Sequence, residues 1–270
     1  MRAAVLGSPI AHSLSPALHR AAYDALGLSD WSYDAVLLEP AGLEPWLAGL
    51  GPEWAGLSLT MPLKQAVLPL LSSRSDLVEA TGAANTVVLG DGRRHGENTD
   101  VAGIVQALRE AGVEHVAWGV VVGAGATAGS ALAALQQLGE SEPNVLVRDR
   151  RRVSALQRCA DRLGVRPQLD DLSADLLNEP GTSVIINTTP AGALDELVRN
   201  HVRPSHDARL LPVVLDVVYA PWPTALASVF TAAGATVVGG AAMLLHQAAA
   251  QVELMTGRAA PLEAMRAALP

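Results

Sequence analysis

Cysteine is almost missing from this 270-residue chain. Cys159 stands alone, so no intrachain disulfide can form, and a reducing compartment fits. Aromatic residues are also few, at 3 %, while half of the residues are hydrophobic, with Ala, Val and Leu dominant. Small aliphatic side chains of this kind suit parallel strands covered by closely packed helices. Positive charge is in deficit too. The net charge of -8 and a pI near 5.3 argue against a broad nucleic-acid surface, which needs clustered cations. The run from Arg148 to Arg152 is the one local exception.

No signal-peptide core develops at the start, because Met1 to Leu6 is broken by Gly7-Ser8-Pro9. Two long stretches lack charge, Val116 to Gly139 and Val217 to Val252. Glycine clusters interrupt both, and Pro221 and Pro223 interrupt the second, so neither reads as a membrane span. The expectation is a soluble, cytoplasmic protein with a small-molecule ligand and neither nucleic acid nor membrane as partner.

Hydrophobic spacing predicts strands over Arg2–Leu6, Tyr33–Leu38, Ala55–Leu59 and Ala84–Leu89, the last ending in the turn Gly90-Asp91-Gly92. A helix is expected from Ser15 to Leu26, with Ser15 as its cap, Pro16 in the first turn and Gly27 as its stop. A second is expected over Leu63–Leu71, with Lys64 in its first turn, and a third over Asp100–Ala111. After Gly112 strands and helices alternate, which indicates right-handed crossovers and a parallel sheet. The expected strands there are Gly119–Val122, Asn144–Val147, Ser183–Asn187, Val213–Val217 and Thr236–Val238. The expected helices are Ala128–Leu138, Val153–Leu163 and Thr224–Ala233, then an Ala-rich one from Gly239-Gly240 to Met255 and a short one over Pro261–Leu269.

Val120-Val121-Val122 runs into Gly123-Ala124-Gly125-Ala126-Thr127-Ala128, a strand feeding a glycine turn and then a helix. Gly123 permits the tight turn, Gly125 lets the backbone approach a pyrophosphate, and Ala128 lets the helix pack on the strand. The first-turn N–H groups and the helix dipole favour phosphate charge. A glycine-rich packing turn is the plainer alternative. Cofactor choice turns on the end of the next strand, where Arg148-Asp149-Arg150-Arg151-Arg152 follows Val147. Guanidinium groups suit a 2′-phosphate, whereas Asp149 would suit a free 2′-hydroxyl, so NADP is expected ahead of NAD. Some of these arginines also suit a solvated loop.

Upstream lie Thr60-Met61-Pro62-Leu63-Lys64 and Asn98-Thr99-Asp100. Oxidising a secondary alcohol removes a hydride from carbon and a proton from oxygen, and a group within hydrogen-bond reach must take that proton. A lysine paired with a carboxylate forms one coupled acid–base unit for the task. Taken singly, Lys64 suits a solvated helix residue and Asp100 a first-turn acid. The chain resembles the shikimate dehydrogenase family along nearly its whole length. The resemblance rests on Gly7-Ser8-Pro9-Ile10-Ala11-His12-Ser13-Leu14-Ser15-Pro16, the Thr60 segment, Gly82-Ala83-Ala84-Asn85-Thr86 and Gly96 to Gly103. The Gly123 turn, Asn187-Thr188-Thr189-Pro190-Ala191-Gly192, Asp216-Val217-Val218-Tyr219 and Gly239-Gly240 through Gln247 extend it.

That resemblance implies NADP-linked, reversible reduction of 3-dehydroshikimate to shikimate, a step of aromatic amino-acid biosynthesis. By matching position it places Lys64 and Asp100 on the catalytic pair. Ser13 and Ser15 would take the substrate carboxylate with support from Tyr219, and Thr60, Asn85 and Gln247 the ring hydroxyls. Gly123, Ala124, Gly125, Ala126 and Thr127 would cradle pyrophosphate, with Arg148, Asp149 and Arg152 near the adenosine phosphate. Thr188, Val217, Gly240 and Met243 would line the nicotinamide side, and Asp76 matches an acidic position near the cofactor. No metal is implied.

From the residues alone, Asn85 suits a turn as well as a ligand, and Tyr219 suits packing as well as binding. Gln247 in an apolar helix needs a partner or ligand. His12 and His246 lack metal-ligand companions. Two departures stand out. Ser58 replaces the Asn that many relatives carry before the Thr-x-Pro segment, and Val147-Arg148-Asp149 replaces Asn-Arg-Thr at the cofactor. Ser15, where quinate-preferring relatives often carry Thr, favours shikimate.

The expected fold is α/β in two domains with an open cleft. Residues 1–103 with 239–270 would form an N-terminal α/β substrate domain, and 104–238 a Rossmann-like doubly wound NADP-binding domain. An NAD-preferring quinate/shikimate enzyme and a non-catalytic nucleotide-dependent sensor are the alternatives.

Overall fold

A computed structural model describes residues 1–270. By contacts the chain forms two compact units, residues 1–103 with 244–270, and residues 104–243. The first unit opens with β1 (Arg2–Gly7), α1 (Ser15–Ala25), β2 (Ser32–Leu37), α2 (Pro40–Ala48), β3 (Trp54–Leu59) and α3 (Leu63–Ala66). It continues with β4 (Ser73–Arg74), α4 (Asp76–Thr81), β5 (Thr86–Gly90), β6 (Arg93–Glu97) and the start of α5 (Asp100–Glu110). Its six strands lie in the order β2-β1-β3-β5-β6-β4. β1 runs parallel to β2 and β3, whereas β5 is antiparallel to β3 and β6, so the sheet is mixed.

β1 is buried on both faces, as a central strand must be. Ala4 and Leu6 join Leu43, Leu57 and Leu63 on one side, while Ala3 and Val5 join Tyr23 and Tyr33 on the other.

The second unit carries β7 (Gly119–Val122), α6 (Ala126–Gln137), β8 (Asn144–Val147), α7 (Ser154–Leu163), β9 (Gln168–Asp171) and β10 (Val184–Asn187). After these come α8 (Asp195–His201), β11 (Val213–Asp216), α9 (Ala225–Ala233) and β12 (Val237–Gly239). Its strands are all parallel, in the order β12-β11-β10-β7-β8-β9. Numbered within the unit this is the 3-2-1-4-5-6 order of a doubly wound dinucleotide fold, and the Gly123 turn follows its first strand, at the point where the order reverses. The chain returns through α10 (Gly240–Thr256) to α11 (Leu262–Ala267), where Leu245, Val252 and Met265 bury Leu18 and Ala22 of α1.

Two expectations are corrected. Ser15 is not the cap of α1. Leu14 holds that position, Ser15 is the first helical residue, and Ser13 Oγ accepts from the Ser15 N–H at 3.3 Å. The helix expected over Leu63–Leu71 stops at Ala66 and resumes as a 3-10 turn over Leu68–Leu70. Pro69 is the reason: it lacks the N–H an α-helix would use and crowds the preceding turn. Spacing arguments also passed over α2, α4, α8, β4, β6 and β9. β6 reads Arg93-Arg94-His95-Gly96-Glu97, a polar run whose strand state comes from pairing with β5.

Candidate active site

In the first unit, α3 and the first turn of α5 bring Lys64 and Asp100 together. Lys64 Nζ donates to Asp100 Oδ2 at 2.6 Å, and the two side chains are 16 % and 6 % exposed. Such a largely enclosed pair differs from the exposed ion pairs that contribute little to stability. Backbone bonds set the approach: the Ala84 N–H donates to the Lys64 carbonyl at 2.9 Å and the Leu59 N–H to the Asn85 carbonyl at 2.7 Å.

Asn85, buried between β3 and α5, donates from Nδ2 to Asp100 Oδ1 at 2.8 Å, to Thr99 Oγ1 at 2.9 Å and to Gln247 Oε1 at 3.2 Å. Its Oδ1 accepts from the Thr99 N–H at 2.8 Å and the Thr86 hydroxyl at 2.9 Å. Both carboxylate oxygens of Asp100 are therefore held, one by an ammonium and one by an amide. Gln247, on α10, also donates to the Leu244 carbonyl. Thr60 is half-buried one turn ahead of Lys64, with its carbonyl accepting from the Leu63 N–H. Ser13 is half-buried and Ser15 buried at the entry to α1.

Asp76 belongs to the first unit. It is exposed in the first turn of α4, where the Ser75 cap and the helix dipole already explain an acid. Tyr219 belongs to the second unit, and burial raises its phenol above the ordinary tyrosine range.

In the second unit, Gly123 has φ 116°, a left-handed value that a side chain resists, and an added Cβ would meet Thr188 Oγ1. Thr188 donates to the Val122 carbonyl at 2.7 Å, which fixes it beside the turn. Gly125 caps α6, and Ala124, Ala126 and Thr127 surround that end. A helix start leaves its first N–H groups free for an anion. Gly240 is a glycine for a different reason: a Cβ there would collide with the Val217 carbonyl. Met243 is buried in the same helix.

Beyond β8, Arg151 occupies both oxygens of Asp149 at 2.9 and 3.1 Å, and its backbone N–H adds a third bond. These contacts hold the Asp149 carboxyl below its ordinary range, its guanidinium partner being the largest cause. Arg150 is drawn to Asp171 at 3.0 Å and Asp170 at 3.6 Å. Arg148 and Arg152 stay exposed to solvent.

A family model described as the shikimate dehydrogenase substrate binding domain matches residues 5–87, and one described as the shikimate 5′-dehydrogenase C-terminal domain matches residues 240–269. A curated shikimate dehydrogenase (NADP(+)) from Natronomonas pharaonis is 40 % identical over 98 % of this chain and 97 % of its own. The chain belongs to the shikimate dehydrogenase family. Among solved structures, the Mycobacterium tuberculosis shikimate dehydrogenase superposes with a TM-score of 0.87 at 39 % identity, covering 99 % of this chain and 98 % of that one. The Thermus thermophilus shikimate 5-dehydrogenase, solved in complex with NADP(H) and shikimate, gives 0.83 at 33 % identity, with 99 % and 98 % covered.

Three polar residues that join the shikimate-dehydrogenase motifs in space were passed over in the sequence, His19, Tyr33 and Gln251, while Ser58 and Thr86 were noted without a role. One signal was available, since Gln251 follows Gln247 by one helical turn in a largely apolar, Ala-rich helix. Another bears on Lys64, which is the sole lysine among the 19 basic residues.

Proposed function

We propose that this chain catalyses the NADP-linked, reversible reduction of 3-dehydroshikimate to shikimate, as a cytoplasmic enzyme of aromatic amino-acid biosynthesis. The observation that carries the reading is the 2.6 Å contact between the part-buried Lys64 ammonium and the buried Asp100 carboxylate. The cofactor, when bound, supplies or accepts the hydride. In the reducing direction Lys64 Nζ gives its proton to the carbonyl oxygen as that oxygen gains negative charge. In the oxidising direction the neutral amine takes the hydroxyl proton back. Asp100 holds the ammonium in place, and Asn85 fixes the other carboxylate oxygen so that the pair keeps one geometry.

Ser13, Ser15, Thr60, Asn85, Gln247 and Tyr219 are the proposed substrate contacts. Gly123 to Thr127 would hold the pyrophosphate and Thr188, Val217, Gly240 and Met243 the nicotinamide side. The exposed Arg148 and Arg152 would meet the 2′-phosphate. The occupation of Asp149 by Arg151 supports NADP over NAD, because a carboxylate already gripped by a guanidinium has lost its hold on a 2′-hydroxyl.

The test is steady-state oxidation of shikimate with NADP by the wild type and by Lys64→Ala. Loss of one positioned proton-transfer group is expected to lower kcat by about 10²-fold or more. A Lys64→Ala enzyme as fast as wild type would remove Lys64 from the mechanism.

A further inference from the structure

A second layer of buried polar side chains stands behind the Lys64–Asp100 pair. Gln251 of α10 is 1 % exposed, Thr86 0 % and Ser58 4 %. The Tyr33 hydroxyl donates to Ser58 Oγ at 2.6 Å, and Ser58 Oγ donates to Gln251 Oε1 at 2.8 Å. Gln251 Nε2 donates to Thr86 Oγ1 at 3.0 Å, and Thr86 donates to Asn85 Oδ1 at 2.9 Å. Asn85 Nδ2 completes the series at Asp100. Every donor points the same way, toward the carboxylate.

The direction is not a free choice of amide orientation. Asn85 Oδ1 faces the Thr99 backbone N–H, which can only donate, so Nδ2 is the end turned to Asp100. Gln251 Nε2 lies 3.3 Å from the Asn85 backbone carbonyl, which can only accept, so Oε1 is the end turned to Ser58. His19 Nε2 also lies 3.2 Å from Oε1 and must then carry the proton there. A hydroxyl rotates to suit its neighbours. Gln251 fills an acceptor site on Thr86, and the single Thr86 proton goes to the nearer Asn85 Oδ1 at 2.9 Å rather than to Thr99 Oγ1 at 3.5 Å.

We propose that Gln251 is a positioning residue: through Thr86 it orients the Asn85 amide that holds Asp100 against Lys64. The assignment rests on the catalytic pair proposed above. Gln251 touches no reacting atom; through Thr86 it sets the geometry of the Asn85 amide that holds Asp100.

The experiment compares Gln251→Met, Thr86→Val and the double variant with wild type in shikimate oxidation by NADP, alongside circular dichroism. Gln251→Met keeps the length of the side chain and removes its donors. The expected result is a kcat lowered by about tenfold in either single variant, with KM for shikimate and for NADP within about twofold, since an interaction felt at the transition state is weakened. The double variant falls no further than the weaker single one, because both cut one relay. A folded Gln251→Met enzyme with unchanged kcat, a loss confined to KM, or multiplied losses in the double variant overturns the proposal. A wild type that does not oxidise shikimate overturns the parent reading first. Should Gln251→Met fail to fold, Ser58→Ala, which frees the acceptor end of Gln251, carries the same split between kcat and KM.

Discussion

The proposed selection of NADP rests on single residues beyond β8. Four arginines crowd five positions there, yet three carboxylates occupy two of them: Asp149 holds Arg151, and Asp170 and Asp171 hold Arg150. Arg148 and Arg152, exposed and outside those ion pairs, are the proposed contacts to the 2′-phosphate. Replacing either with Ala is expected to raise the KM for NADP by about tenfold and to leave the NAD-supported rate unchanged, since a charge-assisted contact to the 2′-phosphate is lost. Specificity constants measured with both cofactors check this, and an unchanged NADP constant contradicts it. Asp149 illustrates the limit of reading residues in a row. Its type argued for NAD, while Arg151, only two residues away, occupies both of its oxygens. Gln251 offered only its one-turn spacing from Gln247, because Ser58, the side chain that gives it meaning, lies 193 residues off.

Local chemistry predicted most elements well, because apolar spacing and punctuating glycines act over a few residues. In the second unit β7, β8 and β10 were legible as short Val-rich and Ile-rich runs that stay buried on both faces, unlike the polar β9. β6 was not, since its side chains carry no strand signal and its pairing with β5 does. Close approach between elements is equally invisible until they are placed. α10 starts at Gly240 where the backbone at Val217 comes too near for any side chain. Gly240→Ala should therefore cost about 1–3 kcal/mol as an overpacked contact, because the obstructing atoms are backbone and cannot rotate aside. Urea unfolding midpoints would read the loss, and an unchanged midpoint would show that the strand and helix separate freely.

Stability of the whole chain carries a pH signature from His19. Full burial lowers its imidazole from 6.5 to about 3, the contact with Gln251 opposing the shift only in part. Between those values the unfolded chain binds a proton that the folded chain refuses, so this contribution is complete above pH 6.5 and is lost as pH falls. From pH 7 to pH 5 the loss amounts to about 2 kcal/mol. Unfolding midpoints at the two pH values should differ by less in His19→Phe than in wild type; an equal difference would assign the effect to other groups. No helix is long and apolar enough to cross a membrane, despite the uncharged stretches around Val116 and Val217.

While the pairing of Lys64 with Asp100 came from the resemblance to the family, composition and spacing alone were enough for an α/β chain with a glycine turn on a parallel strand. Those are properties of short windows, where a side chain's type dictates its local preference. Which donors face which acceptors was settled only when distant segments met: Asn85 between Thr86 and Asp100, Gln251 between Ser58 and Thr86, Asp149 under Arg151. Hydrogen bonds depend on separations of a few tenths of an ångström between segments far apart in the chain, and no linear pattern encodes them.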